Sequence, residues 1–370
     1  VSGPVRVLVV GPAPADAISR GGMATVAALM AAHPDERIRV SVVPTYVDRS
    51  RWVRLLVGVR GMLWASWLLI RRRADVLHVN MAHGGSVVRK AVPLWAARLA
   101  GVPAVVHGHS FDFGGWFDRL PAPARAAVRR ALLADHWVVL GRRHVDEYAD
   151  RLGLSGDRIS VLHNAVRIPE TPAAQTGASR VHAVALGRMG MRKGSYDIVS
   201  AVAALDAPVR ERLRVTLAGD GDVDGVRAAV AAAGVGDTVR VAGWLEPPAR
   251  DELLCAANIF LLPSRDEGLP MALLEAMAHG LAPVTTTVGS IGEAVSDGVT
   301  GIVVQPGSPA EIADALGALV TDDGLRARLG AAARARAVDF GLPRWHESLA
   351  QLWTGLAANA RGGTRSLRVG

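Results

Sequence analysis

Short apolar, β-branched runs recur along the chain, each separated from the next by a stretch of helical character. In the first half they fall at 5–10, 38–43, 75–80, 102–107, 136–140 and 159–163. In the second half they fall at 181–186, 213–218, 238–242, 259–262, 282–286 and 301–304. Strand and helix in alternation predict parallel sheets joined by crossover helices. The runs are nearly continuous in apolar character, so helices should cover both faces of each sheet. A chain of 370 residues exceeds one ordinary core. The reading is therefore α/β: two Rossmann-like, doubly wound domains facing across a cleft, with ligands outside the strand C-termini. Residues 1–167 make the first domain and 181–341 the second. The segment 168–180, with Pro169, Pro172 and Gly177, reads as a linker. A helix over 342–360, returning to the first domain, and a loose basic tail over 361–370 complete the chain.

Composition narrows the function classes. Half the residues are hydrophobic, enough for two cores and too many for a disordered chain. The single cysteine, Cys255, excludes a disulfide framework and fits a reducing, cytoplasmic compartment. A strand-like run starts by Val5, so no signal peptide is expected. Lys and Arg outnumber Asp and Glu by 42 to 34, a net +8, which favours phosphate-bearing ligands or anionic lipid. Aromatic content of 5% and the lack of a recognition motif argue against nucleic acid.

The stretch SRDEGLPMALLEAMAHGLAPV, 264–284, carries the most chemistry. Glu267 and Glu275 stand eight positions apart, with Gly268 and Pro270 between them. Pro270 suits the first position of a helix. Glu267 then lies in the loop before that helix and Glu275 inside it, beside free amides that suit an anion. The bland alternative is a solvated acid ahead of an amphipathic helix. The segment resembles the E-x7-E signature of retaining glycosyltransferases of group 1, or family 4, which have the two-domain GT-B fold. Upstream, LGRMGMRKG, 186–194, resembles the same family's phosphate-binding motif. The resemblance implies that Glu267 contacts the donor sugar and Glu275 the ribose, with Gly268 and Leu269 lining the site. It gives the phosphates to Arg188 and Lys193. Only two lysines, Lys90 and Lys193, occur among the basic residues. A lysine retained in an arginine-rich chain suits a compact, flexible charge on phosphate oxygens.

In the first half, Gly21 and Gly22 precede an Ala-rich helix, where the resemblance places a glycine-rich loop closing on the donor. The run VPAVVHGHSFDFGGWF ends a strand in His107 and His109. By resemblance His109 is the active-site histidine near the anomeric carbon. His107, Asp112 and Lys90 are candidate acceptor contacts, and Asp112 could instead orient a histidine. An H-x-H pair could chelate a metal, yet no third ligand stands at a recognisable spacing, and the family needs no bound metal. No cofactor is expected beyond the nucleotide-diphosphate sugar as co-substrate. The turn at His163 and Asn164 reads as structural.

The segment 48–75 combines Trp52, Trp64 and Trp67 with Arg51, Arg54, Arg60 and the triplet Arg71, Arg72 and Arg73. Its uninterrupted apolar run, 62–70, is too short to span a bilayer. Two readings stand: a helix lying among anionic headgroups at the inner face of the cell membrane, or a crossover helix packed on the sheet. The stretches SVVRKAVPLW and HGHSFDF resemble exopolysaccharide glycosyltransferases that act on lipid-linked sugars.

The combined reading is a retaining glycosyltransferase that moves a sugar from a nucleotide-diphosphate sugar, UDP first and GDP next, to a glycan or lipid-linked acceptor. Trp244 and Leu245 fall where relatives contact the base. An epimerase of the same fold and a non-catalytic nucleotide-sugar or membrane-surface subunit are the alternatives. A dehydrogenase is disfavoured because GDGDVDG, 219–225, puts acids where a pyrophosphate would sit.

Overall fold

The computed structural model describes residues 3–14, 21–175 and 180–362. Residues 15–20 of the glycine-rich loop, Gly177 of the expected linker and 363–370 of the basic tail lie outside the described residues. The chain divides into two compact units: Val1–Asn164 with Pro343–Gly370, and Ala165–Leu342.

The first unit runs β1 (Val5–Pro12), α1 (Gly22–Ala31), β2 (Ile38–Tyr46), α2 (Arg51–Ile70), β3 (Val76–Met81), α3 (Gly85–Ala100), β4 (Ala104–Gly108), α4 (Phe113–Asp118), α5 (Ala122–Ala131), β5 (His136–Val139), α6 (Arg142–Leu152) and β6 (Ile159–Val161). Its six strands lie in the order β2-β1-β3-β4-β5-β6, and every pairing is parallel. Strands buried along their whole length, such as VLHVNM in β3, explain the continuous apolar signal. Leu8, Leu77, Val79, Val106 and Trp137 centre its core.

The second unit runs β7 (Val181–Leu186), α7 (Ser195–Ala204), α8 (Ala207–Glu211), β8 (Leu213–Ala218), α9 (Val223–Ala232), β9 (Val239–Gly243), α10 (Pro247–Cys255), β10 (Ile259–Leu262), α11 (Met271–Ala278), β11 (Ala282–Thr285), β12 (Ile302–Val303), α12 (Pro309–Thr321) and α13 (Asp323–Ala337). Its strands lie in the order β12-β11-β10-β7-β8-β9. All pairings are again parallel. The last helix, α14 (Leu342–Arg361), belongs to the first unit from Pro343 onward. There the Trp353 indole donates to His78 Nδ1 of β3 at 3.1 Å.

The division falls at Asn164 and Ala165, three residues before the expected end of the first domain. The reason is local pairing: Val166 N–H donates to Phe340 C=O at 2.9 Å, and Leu342 N–H returns to Val166 C=O at 3.2 Å. The described part of the expected linker is bonded to the second unit. Arg334 donates to Pro169 C=O at 2.5 Å, Ala173 N–H to His279 C=O at 2.8 Å and Gln175 to Gly280 C=O at 2.8 Å.

Candidate active site

In the second unit β7 and β10 are neighbours, yet the chain leaves them in opposite directions, through β8 on one side and β11 on the other. Such a switch point opens a crevice at the strand C-termini. The loop after β7 carries residues 187–194 and the loop after β10 carries 263–268, so both sequence motifs meet there. Gly194 lets them touch. It takes φ of 70° before α7, and a Cβ on it would stand 2.5 Å from the Pro263 carbonyl oxygen.

Lys193 Nζ pairs with Glu267 Oε1 at 2.5 Å, and both side chains are largely withdrawn from solvent. Ser264 Oγ donates to the same oxygen at 2.8 Å. Arg192 lies 3.8 Å from Glu267 Oε2 and donates to Asp266 C=O at 2.9 Å. Arg265 locks the loop from behind, gripping Asp197 of α7 at 2.5 and 3.2 Å and the Met191 carbonyl at 2.7 Å. Below, Gly289 at φ 61° leaves room for the Glu267 carbonyl, which a Cβ would meet at 1.9 Å. Ser290 N–H holds Gly268 C=O at 2.8 Å. Arg188 is mostly exposed and pairs with Asp220 beyond β8 at 3.0 Å. The result is one fixed carboxylate flanked by cations, an arrangement that orients a polyol and attracts phosphate.

Glu275 projects from α11 and pairs with Arg250 of α10 at 3.3 Å. Burial raises its carboxyl to about 7, with the Arg250 charge opposing the shift. Pro270 is not the first helical residue. It takes an extended conformation at the N-cap, and the helix begins at Met271. The Leu269 side chain is buried in the core rather than lining an open site, which leaves its backbone to contribute. Trp244 Nε1 donates to Glu246 at 3.1 Å.

In the first unit, His109 is the first residue beyond β4 and is half-buried. Its Nε2 lies 3.1 Å from Asn80 Oδ1, and its backbone N–H donates to Met81 C=O at 2.7 Å. Burial pushes the imidazole down to about 3, so it is neutral at physiological pH. His107 is not at the lip. It lies within β4, fully buried, with its Nδ1 3.4 Å from His78 Nε2. The histidine that the Asp112 charge acts on is His83. Asp112 precedes α4 and forms an ion pair with Arg119 at 2.8 Å. Lys90 is enclosed in α3 and donates to Thr45 Oγ1, so it presents no charge to an open surface. Burial lowers its ammonium to about 7, and Arg89 adds to the shift. Gly21 takes φ of 98° at the N-cap of α1, and Gly22 opens that helix.

Sequence reasoning missed Ser264, Asp197, Arg250, Asn80 and Gly289. Ser264 was legible as a hydroxyl three residues ahead of Glu267, whereas nothing local ties Arg250 to Glu275. Among the described residues no group of three or more His, Cys, Asp or Glu side chains is placed to hold a metal.

Comparison with known proteins bears on the family and the fold. Residues 180–322 match the family described as glycosyl transferases group 1, and residues 5–168 match glycosyltransferase family 4. The chain is 30% identical over 336 residues to a D-inositol 3-phosphate glycosyltransferase of Salinispora arenicola, covering 81% of this chain and 73% of that one. It is 28% identical to an alpha-D-kanosaminyltransferase of Streptomyces kanamyceticus, covering 79% and 81%. In structure it resembles HepE of Anabaena, solved with UDP, at a TM-score of 0.73 and 16% identity, covering 95% of this chain and 100% of HepE. Sucrose-phosphate synthase of Thermosynechococcus elongatus gives 0.75 at 16% identity, covering 96% and 99%. With two parallel-sheet Rossmann-like units and family matches over both, the chain belongs to the group 1 glycosyltransferases of family 4 and has the GT-B fold.

Proposed function

We propose that this glycosyltransferase acts with retention of configuration on a nucleotide-diphosphate sugar, UDP first and GDP next. One observation carries the reading: the buried Lys193–Glu267 pair at the C-termini of β7 and β10, with Arg192 beside it and Arg188 on the same loop. Glu267 accepts hydrogen bonds from the donor sugar's hydroxyls, and Glu275 accepts one from the ribose. Arg188 and Lys193 meet the pyrophosphate. As the bond between the anomeric carbon and the phosphate oxygen breaks, its electron pair passes to the leaving diphosphate. Fixed cations there stabilise the transition state more than the ground state. The acceptor hydroxyl attacks from the same face, and its proton goes to a phosphate oxygen. His109, neutral and held by Asn80, serves the transfer as a hydrogen-bonding group. Gly21 and Gly22 bring backbone amides to the donor. These cations do the work of a divalent ion, so the enzyme needs neither metal nor cofactor.

UDP as donor nucleotide is supported by the solved HepE complexes with UDP and with UDP-glucose. A nucleotide-sugar donor puts the reaction on the cytoplasmic side, with a glycan or lipid-linked acceptor in polysaccharide biosynthesis. An epimerase needs acid and base groups on both faces of the sugar, and no such set accompanies Glu267 among the described residues. A non-catalytic nucleotide-sugar subunit would hold the pyrophosphate with the same cations, and an assay of sugar transfer separates the two. Thermal-shift titration with UDP, GDP, ADP and dTDP tests the reading. One diphosphate should raise the melting temperature in proportion to the logarithm of its concentration, and Lys193→Ala should remove the effect. Equal indifference to all four diphosphates would contradict it.

A further inference from the structure

We infer that α2 and α3 together form a surface that docks on an anionic lipid bilayer, which deepens the lipid-linked acceptor reading above. α2 is amphipathic in the reverse of the usual sense. Its buried stripe is small, with Gly58, Gly61 and Ala65 leading to Leu69. Its solvent stripe is apolar: Trp52, Leu56, Val59, Leu63, Trp67 and Ile70 recur every three or four residues and are all exposed, Trp52 by 72%. α3 repeats the pattern with Val88, Val92, Trp95 and Leu99, the last 80% exposed. Two adjacent helices that turn apolar stripes to solvent exceed the scattered apolar residues of an ordinary surface.

Charge identifies the occupant. Neither helix contains an Asp or Glu. Arg51, Arg54, Arg60 and Arg98 are exposed on them, and Arg71, Arg72 and Arg73 follow α2. Arg71 lies over the Trp67 ring at 5.8 Å, and Trp64 stacks on Trp67 at 4.8 Å. A second copy of the chain would set arginine against arginine, whereas anionic headgroups pair with all of them. The 20 residues of α2 are long and apolar enough to cross a membrane by length and composition, which corrects the shorter count from the uninterrupted run. The helix nevertheless lies on the sheet. A Cβ at Gly61 would stand 2.1 Å from the Pro44 carbonyl oxygen, a fit that only close packing uses. Both helices begin at the sheet edge that carries His109, because each follows a parallel strand. An acceptor held in the bilayer would therefore reach that edge with its sugar end first.

Co-sedimentation with vesicles of phosphatidylcholine containing phosphatidylglycerol, across a salt series, tests the surface. Binding should weaken as salt rises, and replacing Arg71, Arg72 and Arg73 by Gln should reduce it by up to about fivefold per charge. The double variant Trp95→Gln/Leu99→Gln tests α3 and should lower partitioning at least about tenfold, with UDP affinity unchanged. Wild-type protein that stays in the supernatant at low salt overturns the inference. So does an α3 variant that binds like the wild type, or a concentration-dependent dimer that the same substitutions abolish. UDP affinity, read in parallel, separates failure of the surface from failure of the glycosyltransferase reading.

A second observation assigns Trp353 of α14 a positioning role: it sets the tautomers of the buried histidines behind His109. An indole nitrogen only donates, so His78 Nδ1 accepts from Trp353 at 3.1 Å. A neutral imidazole has one N–H, which must then be on His78 Nε2, facing His107 Nδ1 at 3.4 Å. His107 in turn carries its proton on Nε2, a buried atom without a partner. The His107 ring packs against His109 at 4.0 Å between centroids. This inference rests on His109 being in the site, but its NMR test does not. Nitrogen-15 NMR of labelled wild-type protein should show both His78 and His107 as Nε2–H tautomers at neutral pH, and an Nδ1–H signal on His78 would overturn the assignment. Trp353→Phe, which keeps the ring packing, should mix the His78 tautomers and lower kcat by up to about fivefold with KM for the donor unchanged. A tautomer state unmoved by that variant would equally overturn it.

Discussion

Replacing Lys193 by Ala should damage both the fold and the transfer, and the two effects have separate magnitudes. In the wild type the Glu267 carboxylate, 7% exposed, holds the Lys193 ammonium at 2.5 Å. Without it the carboxylate keeps the neutral Ser264 hydroxyl at 2.8 Å and Arg192 at 3.8 Å. Removing one partner of a buried ion pair costs about 3–5 kcal/mol. Arg192 remains near and some solvent reaches the position, so about 2 kcal/mol is the working figure, or a drop of about 4–8 °C for a unit of this size. Adding Glu267→Gln should recover part of the loss, because the uncompensated charge disappears, giving a coupling of about 1–2 kcal/mol in a double-mutant cycle. Transfer at saturating donor should fall by about a hundredfold or more, since the missing cation acts where charge develops. Thermal melts of the four proteins and initial rates of sugar transfer read both. A variant that melts like the wild type, shows additive effects and turns over normally would refute the reasoning.

Gly289→Ala should lower stability and activity together. The new Cβ would meet the Glu267 carbonyl oxygen at 1.9 Å on a backbone at φ 61°, and the conformation alone costs about 1–2 kcal/mol. A crystal structure with Glu267 undisplaced would contradict this. The Glu275 carboxyl, raised from 4.5 to about 7, takes up a proton in the folded state over that window. Its contribution to stability is full below pH 4.5 and is lost as pH rises through 7, by up to about 3 kcal/mol. Glu275→Gln should flatten that dependence, and a ribose hydroxyl that favours the carboxylate should make diphosphate binding release protons near pH 7. Calorimetry in buffers of different ionisation heat reads the release, and none would remove Glu275 from the ribose. Activity should survive EDTA, and full loss restored by magnesium or manganese would contradict the role given to Arg188 and Lys193.

The parallel sheets were legible because strands buried on both faces write an unbroken apolar signal. The runs at 181–186 and 259–262 coincide with β7 and β10. The motifs were legible through their resemblance to those of a known family, and the structure brings Lys193 and Glu267 of the two together. What stayed hidden depends on partners distant in sequence. Arg250 meets Glu275 only because α10 and α11 flank β10. Lys90 reads as a charge for an acceptor or a phosphate, yet its face of α3 is buried and its ammonium donates a hydrogen bond to Thr45 of β2. His107 and His109 read alike as lip residues, but the strand ends between them at Gly108. The outward apolar stripe of α2 could not be told from a core stripe, since periodicity shows a face and not what covers it.

The central claim, retaining transfer from a nucleotide-diphosphate sugar at the Lys193–Glu267 crevice, is tested most directly by proton NMR of the anomeric signal during donor turnover. With the UDP-α-sugar selected by thermal shift, and water or a simple alcohol as acceptor, the account predicts that the first product seen is the α-anomer. It predicts a rate at least about a hundredfold lower in Lys193→Ala. A β-anomer appearing first, or turnover indifferent to Lys193, would contradict it.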